Sequence, residues 1–390
     1  MDKELQETLE LHSDYSARFA NHLLRILIGE AEDEKNIAVS PARLQAVLVL
    51  LANWACPRIR KGILERVGND VITLKEANLL SSKNIFSLTP ASWAADEDGC
   101  IPQIELQTLL WAQQELTVEE GALEKVSDDY PMTLKSVNFK DANLKYVIDN
   151  AIAEATHGLI KQLDLQLTDE TIAVITDILY FKATWREIFE SEDTKEQLFF
   201  GTKGKMKVPM MKRTGSMQYY ETGNCQMVKL PYQCYDQSGK RFSMRVYLPK
   251  PKHSLGDILH ERWNDEYFHD WEEEEVRLSL PRFSAESSIN MKETLSELGL
   301  DCIYESTDII PGCIKDLQIQ EIVQQCKVIV DESGTEASVV TSVGFEIGCC
   351  PMEHPKPITM TVNRPFIFEI AEDTTNTILF TGVIKNIEQE

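Results

Sequence analysis

The chain has 390 residues, 43% hydrophobic and 26% charged, a composition ordinary for a folded protein and unlike disordered, collagenous or disulfide-dense sequences. Its 39 basic and 63 acidic residues give a formal net charge of −24. So acidic a chain repels phosphate backbones and anionic lipid headgroups. No dense Lys/Arg stripe overrules this, so nucleic acid, heparin-like polyanions and membranes are poor partner candidates.

Tyr15 to Gly29 has the spacing of an amphipathic helix. Ser40-Pro41 is a cap followed by proline at the first helical position, and it opens a strongly apolar helix running through Ala55. A further helix is predicted over Asn143 to His157, with Leu144, Val147, Ile148, Ile152 and Ala155 on one face and Gly158 as its stop. Thr171 to Phe181 is a nearly continuous apolar run, the mark of a central strand buried on both faces. "FSMRVYLP" from Phe242 and "VRLSLPRF" from Val276 read as shorter strands, and Glu272–Glu275 as a solvated acidic run. Ile289 to Leu298, closed by Gly299, reads as a short helix. The last third is rich in strands: "IVQQCKVIV" from Ile322, "ITMTV" from Ile358, "FIFEIA" from Phe366 and "TILFTGVI" from Thr377. Helices early and strands late predict an α+β class. No linker, repeat or bilayer-length apolar run divides the chain, so residues 1–390 are expected to form one domain.

The segment "VDESGTEASVVTSVGFEIGCCPMEHPKP", Val330 to Pro357, carries two contradictory signals. Thr335 to Ile347 alternates like a half-buried strand: Thr335, Ala337, Val339, Thr341, Val343, Phe345 and Ile347 share one face. Glu336, Ser338, Val340, Ser342, Gly344 and Glu346 share the other. Yet it follows a Ser-Gly turn and runs into prolines at 351, 355 and 357, as an exposed loop would.

Signatures of catalysis are weak. The chain has no GxSxG elbow, HExxH, P-loop or GxGxxG, and "GTKGKMK" at Gly201 reads as a turn. The seven histidines are scattered, and no base accompanies Cys349-Cys350 or any serine. The nine cysteines, 56, 100, 225, 234, 302, 313, 326, 349 and 350, show neither CxxC pairs nor zinc-ligand spacing. No metal or other cofactor is expected. Free thiols, no sequon, and no apolar leader at Met1–Tyr15 predict a reducing, cytoplasmic location. A leader preceding Met1 would instead make the protein secreted.

"VDESGTEAS" from Val330 resembles the hinge of serpins, the serine protease inhibitor superfamily, and "VNRPFIFEI" from Val362 resembles their C-terminal signature. "NIAVSP" at Asn36, "IAEATHGLIKQL" at Ile152, "ILYFKATW" at Ile178, "VPMM" at Val208, "LPRF" at Leu280 and "TILFTGVIKNI" at Thr377 are similar in family order across nearly the whole chain. The resemblance, closest to intracellular-type members, implies a serpin fold of three β-sheets with eight to nine helices. It also implies an exposed reactive-centre loop over about residues 332–357. Such a loop is bait for a protease. After cleavage the acyl-enzyme is trapped while Thr335 to Ile347 folds into the central sheet, a transition that general accounts of strand insertion already cite for this family. Burying Val339, Val343, Phe345 and Ile347 would contribute roughly 1.5–3 kcal/mol each before ordering costs. The resemblance makes Glu332, Gly334, Thr335, Glu336, Ala337, Ser338, Val339, Val340 and Thr341 the hinge. Val339 and Val340 are bulkier than the alanines usual there.

Family spacing places the reactive bond at Gly348–Cys349, within a window from Ile347 to Cys350. With no Lys or Arg from Thr335 to Cys350, a trypsin-like target is disfavoured. Elastase-like or subtilisin-like serine proteases, or papain-like cysteine proteases, fit better. Such a partner would be held as a covalent acyl complex by a monomer that can also form loop-sheet polymers. Trp185, Phe181, Arg282 and Glu332 match residues that control opening at the top of the sheet. Further down, Ser40 keeps the family's serine, while Arg43, Asp177 and Gln324 replace its serine, asparagine and histidine. They are expected to form a buried ion pair completed by the amide. "NWACPRIRKG" after Ala52 lacks the family's Gly and Thr, which puts local helix packing in question. The resemblance leaves open a non-inhibitory binding protein or chaperone of the same fold.

Overall fold

The computed structural model describes residues 17–29, 34–68, 73–87, 103–115, 132–155, 158, 161–163, 165, 167–233, 242–262, 271–305, 318–335, 356–373 and 376–388. Helix α1 spans residues 17–29, and strand β1, Ile37–Val39, leads to the predicted cap. The Ser40 side chain accepts a hydrogen bond from the Arg43 N–H, Pro41 takes the first position, and α2 runs Pro41–Trp54. Helix α3 follows at Pro57–Gly68. Arg60 reaches back from α3 to the carbonyls of Ala52, Asn53 and Ala55, at 2.9, 3.3 and 3.1 Å, and satisfies the C-terminal end of α2. Helix α4 is Leu74–Ser87.

Helix α5, Leu144–Ala155, falls within the predicted 143–157, and its stop is the expected one. Gly158 sits at φ 82° and its N–H bonds the Ala153 carbonyl at 2.7 Å. Leu144, Ile148 and Ile152 pack against Leu109, Trp111, Val174, Ile178 and Val323, so α5 covers the outer face of a sheet.

That sheet has six strands in the order β10-β11-β12-β4-β2-β3. They are β2 Gln103–Gln113, β3 Met132–Val137, β4 Ala173–Thr184, β10 Phe283–Asn290, β11 Glu321–Val330 and β12 Gly334–Thr335. The predicted strand from Thr171 is β4, extended to Thr184. Its even positions Val174 and Ile178 face α5. Leu179, Phe181 and Ala183 face the second sheet. Burial on both faces is why the run is nearly continuously apolar.

The second sheet has nine strands in the order β1-β15-β14-β8-β7-β6-β9-β13, with β5 pairing β6. Those not yet placed are β5 Lys195–Gly201, β6 Gly204–Glu221, β7 Cys225–Pro231, β8 Phe242–Pro249, β9 Glu272–Pro281, β13 Ile358–Thr361, β14 Phe366–Glu372 and β15 Thr377–Ile384. The three sheets implied by the family resemblance are therefore two hydrogen-bonded networks among the described residues. The 18-residue β6 pairs β5 and β9 along most of its length and β7 through Gln218–Glu221, joining what would otherwise be separate sheets.

Two boundaries differ from the sequence reading. "VRLSLPRF" is not one strand. It breaks after Pro281, with β9 in the larger sheet and β10 in the smaller, because Arg282 N bonds Pro209 O while Phe283 pairs with Val330. The helix expected from Ile289 begins late, as α7 Lys292–Glu297. Ile289 and Asn290 pair instead with Gln324 and Val323, so a long-range ladder overrides the local pattern. Gly299 closes it at φ 74°, as expected. With α6 Leu255–Arg262 and α8 Cys302–Glu305 the described residues contain eight α-helices, and none is long and apolar enough to cross a membrane.

Candidate functional site

Strands β4 and β11 are parallel neighbours, paired from Val174↔Glu321 to Leu179↔Cys326. Above that point they part and a third strand stands between them. β12 pairs antiparallel with both, Thr335 opposite Val330 of β11 and Ala183 of β4, and Gly334 opposite Thr184. The segment that the sequence marks as loop and strand at once thus starts as a strand two residues long. The remaining hinge residues, Glu336, Ala337, Ser338, Val339, Val340 and Thr341, lie outside the described residues, as do Ile347, Gly348, Cys349 and Cys350. The chain is described again at Lys356, two residues before β13.

The turn into β12 is built by Asp331. Its carboxylate accepts from the N–H groups of Ser333 at 2.8 Å and Gly334 at 3.1 Å, and its own N–H bonds the Gly334 carbonyl. Burial pushes the Asp331 carboxyl up, against the pull of these two N–H groups. Gly334 is required by close approach: a Cβ there would stand 2.1 Å from the Ala183 carbonyl oxygen. Thr335 is fully buried and its hydroxyl meets the Tyr232 hydroxyl at 2.6 Å.

Trp185, buried just past β4, holds the turn from beneath. Its N–H bonds Ser333 O at 2.9 Å and its indole N–H bonds Asp331 O at 3.0 Å. Its ring stacks on Tyr232 at 4.5 Å. Phe181 contacts Tyr232 edge-on at 5.1 Å. The expected pair at the top is formed: Arg282 grips Glu332 with Nε to Oε2 at 2.7 Å and NH2 to Oε1 at 2.6 Å, and Thr194 Oγ1 bonds the same Oε1 at 2.5 Å. Burial pushes the Glu332 carboxyl up, but the Arg282 guanidinium and the Thr194 hydroxyl outweigh it and hold it below the ordinary glutamate value.

Three rows lower is the second cluster. Gln324 of β11 and Asp177 of β4 are register partners, and Gln324 Nε2 donates to Asp177 Oδ2 at 3.1 Å. Arg43 reaches the other oxygen from α2, with Nε at 3.1 Å and NH2 at 2.7 Å, and Thr108 of β2 donates to it at 3.0 Å. Gln324 also exchanges two hydrogen bonds with the Ser40 backbone, at 2.7 and 3.0 Å. All five residues are at least 96% buried. The cluster ties one helix to three strands across the seam where β4 and β11 meet. Cys326, beside it, is wholly buried, and burial pushes its thiol well above the ordinary cysteine range, so it is chemically inert.

Sequence reasoning missed Thr108, Thr194, Tyr232 and Asp331. Thr108 alone carried a signal, as a polar residue in the apolar run "LQTLLWA". "GTKGKMK" is the β5–β6 turn, as expected. Among the described residues no cluster of three His, Cys, Asp or Glu side chains is fit to hold a metal ion.

A strand wedged into a parallel seam, the two clusters that close it, and the paired sheets together define a class of fold, and comparison with known proteins gives it a name. Residues 14–387 match the family Serpin (serine protease inhibitor), and the chain belongs to the serpin family. It is 32% identical over 290 residues to an uncharacterised serpin-like protein of Thermococcus kodakarensis, spanning 71% of this chain and 65% of that protein. It is 26% identical to mouse antithrombin-III over 96% of this chain and 81% of the relative. Its fold superposes on human thyroxine-binding globulin complexed with thyroxine at a TM-score of 0.83, with 24% identity and 98% and 100% of the two chains covered.

Proposed function

We propose that this protein is a protease inhibitor that acts as a suicide substrate, cleaved within Ile347–Cys350 and relaxing by insertion of the loop. The observation that carries the reading is the two-residue strand β12, already antiparallel to both β4 and β11 at the open end of their seam. Continuing the same registers would set Ala337 between Phe181 and Val328, Val339 between Leu179 and Cys326, Thr341 between Asp177 and Gln324, and Val343 between Ile175 and Ile322. The apolar residues of the loop then meet apolar rows, and its one remaining inward hydroxyl meets the one polar row. Each new ladder hydrogen bond adds about 1 kcal/mol net, on top of the burial of the side chains.

The protease nucleophile would attack the carbonyl of Gly348, expelling the amine of Cys349 and leaving Gly348 esterified or thioesterified to the enzyme. Insertion then carries the acyl-enzyme away before water completes the cycle. The chain is thus consumed rather than turned over, and is not itself an enzyme. Small and apolar residues in the window favour elastase-, subtilisin- or papain-like targets. Cys56, Cys302 and Cys326 carry free thiols, which fits action in a reducing compartment such as the cytoplasm.

A second reading, a binding protein whose loop is cut without springing, is favoured by the bulky Val339-Val340 pair in the hinge. Incubation with a protease panel separates the two. An SDS-stable complex one protease heavier than the cleaved chain supports inhibition. Cleavage with neither complex nor thermal stabilisation supports the second reading.

A further inference from the structure

The corner between α2 and α3 and the corner before α8 each carry a thiol. Cys56 is the residue that caps α3. Its carbonyl accepts the Arg60 N–H at 2.9 Å, and the Arg60 side chain bonds the carbonyls of Ala52, Asn53 and Ala55 around it. Cys302 opens α8, at the end of a turn pinned by Leu300 N to Leu295 O at 2.8 Å and by the Ser296 hydroxyl on Asp301. Both cysteines are half-buried and free. Both pack against the core that holds Ile59 and Ile63 of α3 together with Leu300 and Ile303. The turn before α8 lies against α3, because a Cβ on Gly299 would stand 3.0 Å from the Arg66 guanidinium. Burial pushes the Cys302 thiol up, Arg58 in the first turn of α3 opposes it, and the Cys56 thiol adds to the rise. The two sulfurs are therefore within electrostatic reach of each other. Their separation along the chain hides the pair from any reading of cysteine spacing.

The two corners belong to opposite sides of the seam. Helix α2 grips β4 through Arg43 on Asp177. Helix α8 leads towards β11, with Gln318 Nε2 donating to Tyr304 O at 2.8 Å three residues before that strand begins. A covalent link between Cys56 and Cys302 would fasten the helix that holds β4 to the lead-in of β11.

We propose that Cys56 and Cys302 are a redox pair that hydrogen peroxide closes into a disulfide, and that the closed form resists opening of the β4–β11 seam. One thiolate attacks the O–O bond of the peroxide and becomes a sulfenic acid, and the departing hydroxide takes a proton and leaves as water. The second thiol gives up its proton and attacks that sulfur. The S–S bond forms, and the expelled hydroxide leaves as a second water. Two thiols lose two electrons, and one peroxide becomes two waters. In a reducing compartment the pair rests as thiols, and it closes only when peroxide rises.

The test treats the full chain with graded hydrogen peroxide, blocks the remaining thiols by alkylation, and maps peptides without reduction. Wild type, Cys56→Ser and Cys302→Ser are compared. The wild type is expected to yield a peptide linking Cys56 to Cys302. Its melting temperature should rise by about 2–5 °C, the range for one disulfide in a chain of this size. Its rate of SDS-stable complex formation with a protease should fall, and dithiothreitol should reverse both changes. Each serine variant keeps every other cysteine, so it should lose the reversible part of both changes while oxidation elsewhere continues. The mapping is read on the wild type itself and stands even if a serine variant folds poorly. Linkage of Cys56 or Cys302 to other cysteines, linkage between two chains, or sulfinic acid in place of a bond would overturn the proposal. So would equal melting temperatures for the oxidised and reduced wild type. A bond that forms without slowing capture would overturn its second half, the clamp on the seam. If the reduced wild type captures no protease at all, the inhibitory reading falls, and the pair is then decided by the mapping and the melting temperature.

Discussion

Gln324 and Asp177 face each other across parallel strands and share a 3.1 Å hydrogen bond at the seam through which the loop would pass in the proposed mechanism. Any strand entering that far must break this contact. Gln324→Leu removes it together with the two bonds to the Ser40 backbone, while leaving Asp177 its bonds to Arg43 and Thr108. The expected cost to the uncut protein is about 1.5–3 kcal/mol for the bond to the charged group, with about 1–3 kcal/mol more for the orphaned Ser40 N–H. Loop-sheet polymers should also form faster on warming. Native gels over a heating series give the rate, and an unchanged rate would remove the contact from the control of opening.

Arg43 and Asp177 form a pair with under 4% exposure on either side chain. Arg43→Met alone strands a buried carboxylate and is expected to destabilise by roughly 3–5 kcal/mol. Arg43→Met/Asp177→Leu should recover much of the loss, because no isolated charge remains. Urea unfolding of the full cycle measures this. Strictly additive effects would mean that the two residues do not act as a unit.

Gly334→Ala places a methyl group 2.1 Å from the Ala183 carbonyl oxygen, and the obstacle is backbone that cannot step aside. The two-residue strand should be expelled from the seam. Insertion then starts later and more protease escapes, so the stoichiometry of inhibition rises while the fold persists. A wild-type stoichiometry would show that the wedge is not the starting point of insertion.

Glu332 titrates below the ordinary glutamate value because its ion pair and the Thr194 hydroxyl outweigh burial. A lowered carboxyl stabilises the fold above the unfolded value, and that stability is lost as pH falls through the folded one. The Arg282–Glu332 contact is therefore expected to hold at neutral and mildly acidic pH and to fail only in stronger acid. Glu332→Gln should flatten the acid limb of the stability curve and Glu332→Lys should promote polymers at pH 7. A variant whose acid limb matches wild type would place the titration elsewhere.

What could be read from the residues alone follows the range of the interactions. Ser40, Pro41, Gly158 and Gly299 were legible because caps and stops act within one helical turn. The seam was legible through the alternation from Thr335 and through family resemblance, and Arg43, Asp177 and Gln324 through that resemblance alone, as the residues standing where the family has serine, asparagine and histidine. Ile289 and Asn290 were misread because their strand state is dictated by β11, more than thirty residues on. Tyr232 and Thr194 are separated from their partners by 103 and 138 residues, and nothing in their local sequence announces such contacts; Thr108, 69 residues from Asp177, shows only as a polar residue in an apolar run.

The proposed mechanism requires the uncut chain to be held short of its most stable arrangement. Limited proteolysis just past Ile347, followed by calorimetry of intact and nicked protein, tests this most directly. A gain of about ten kcal/mol would raise the melting temperature by about 12 °C, with the two fragments remaining associated. Equal melting temperatures for the intact and nicked chains would contradict it.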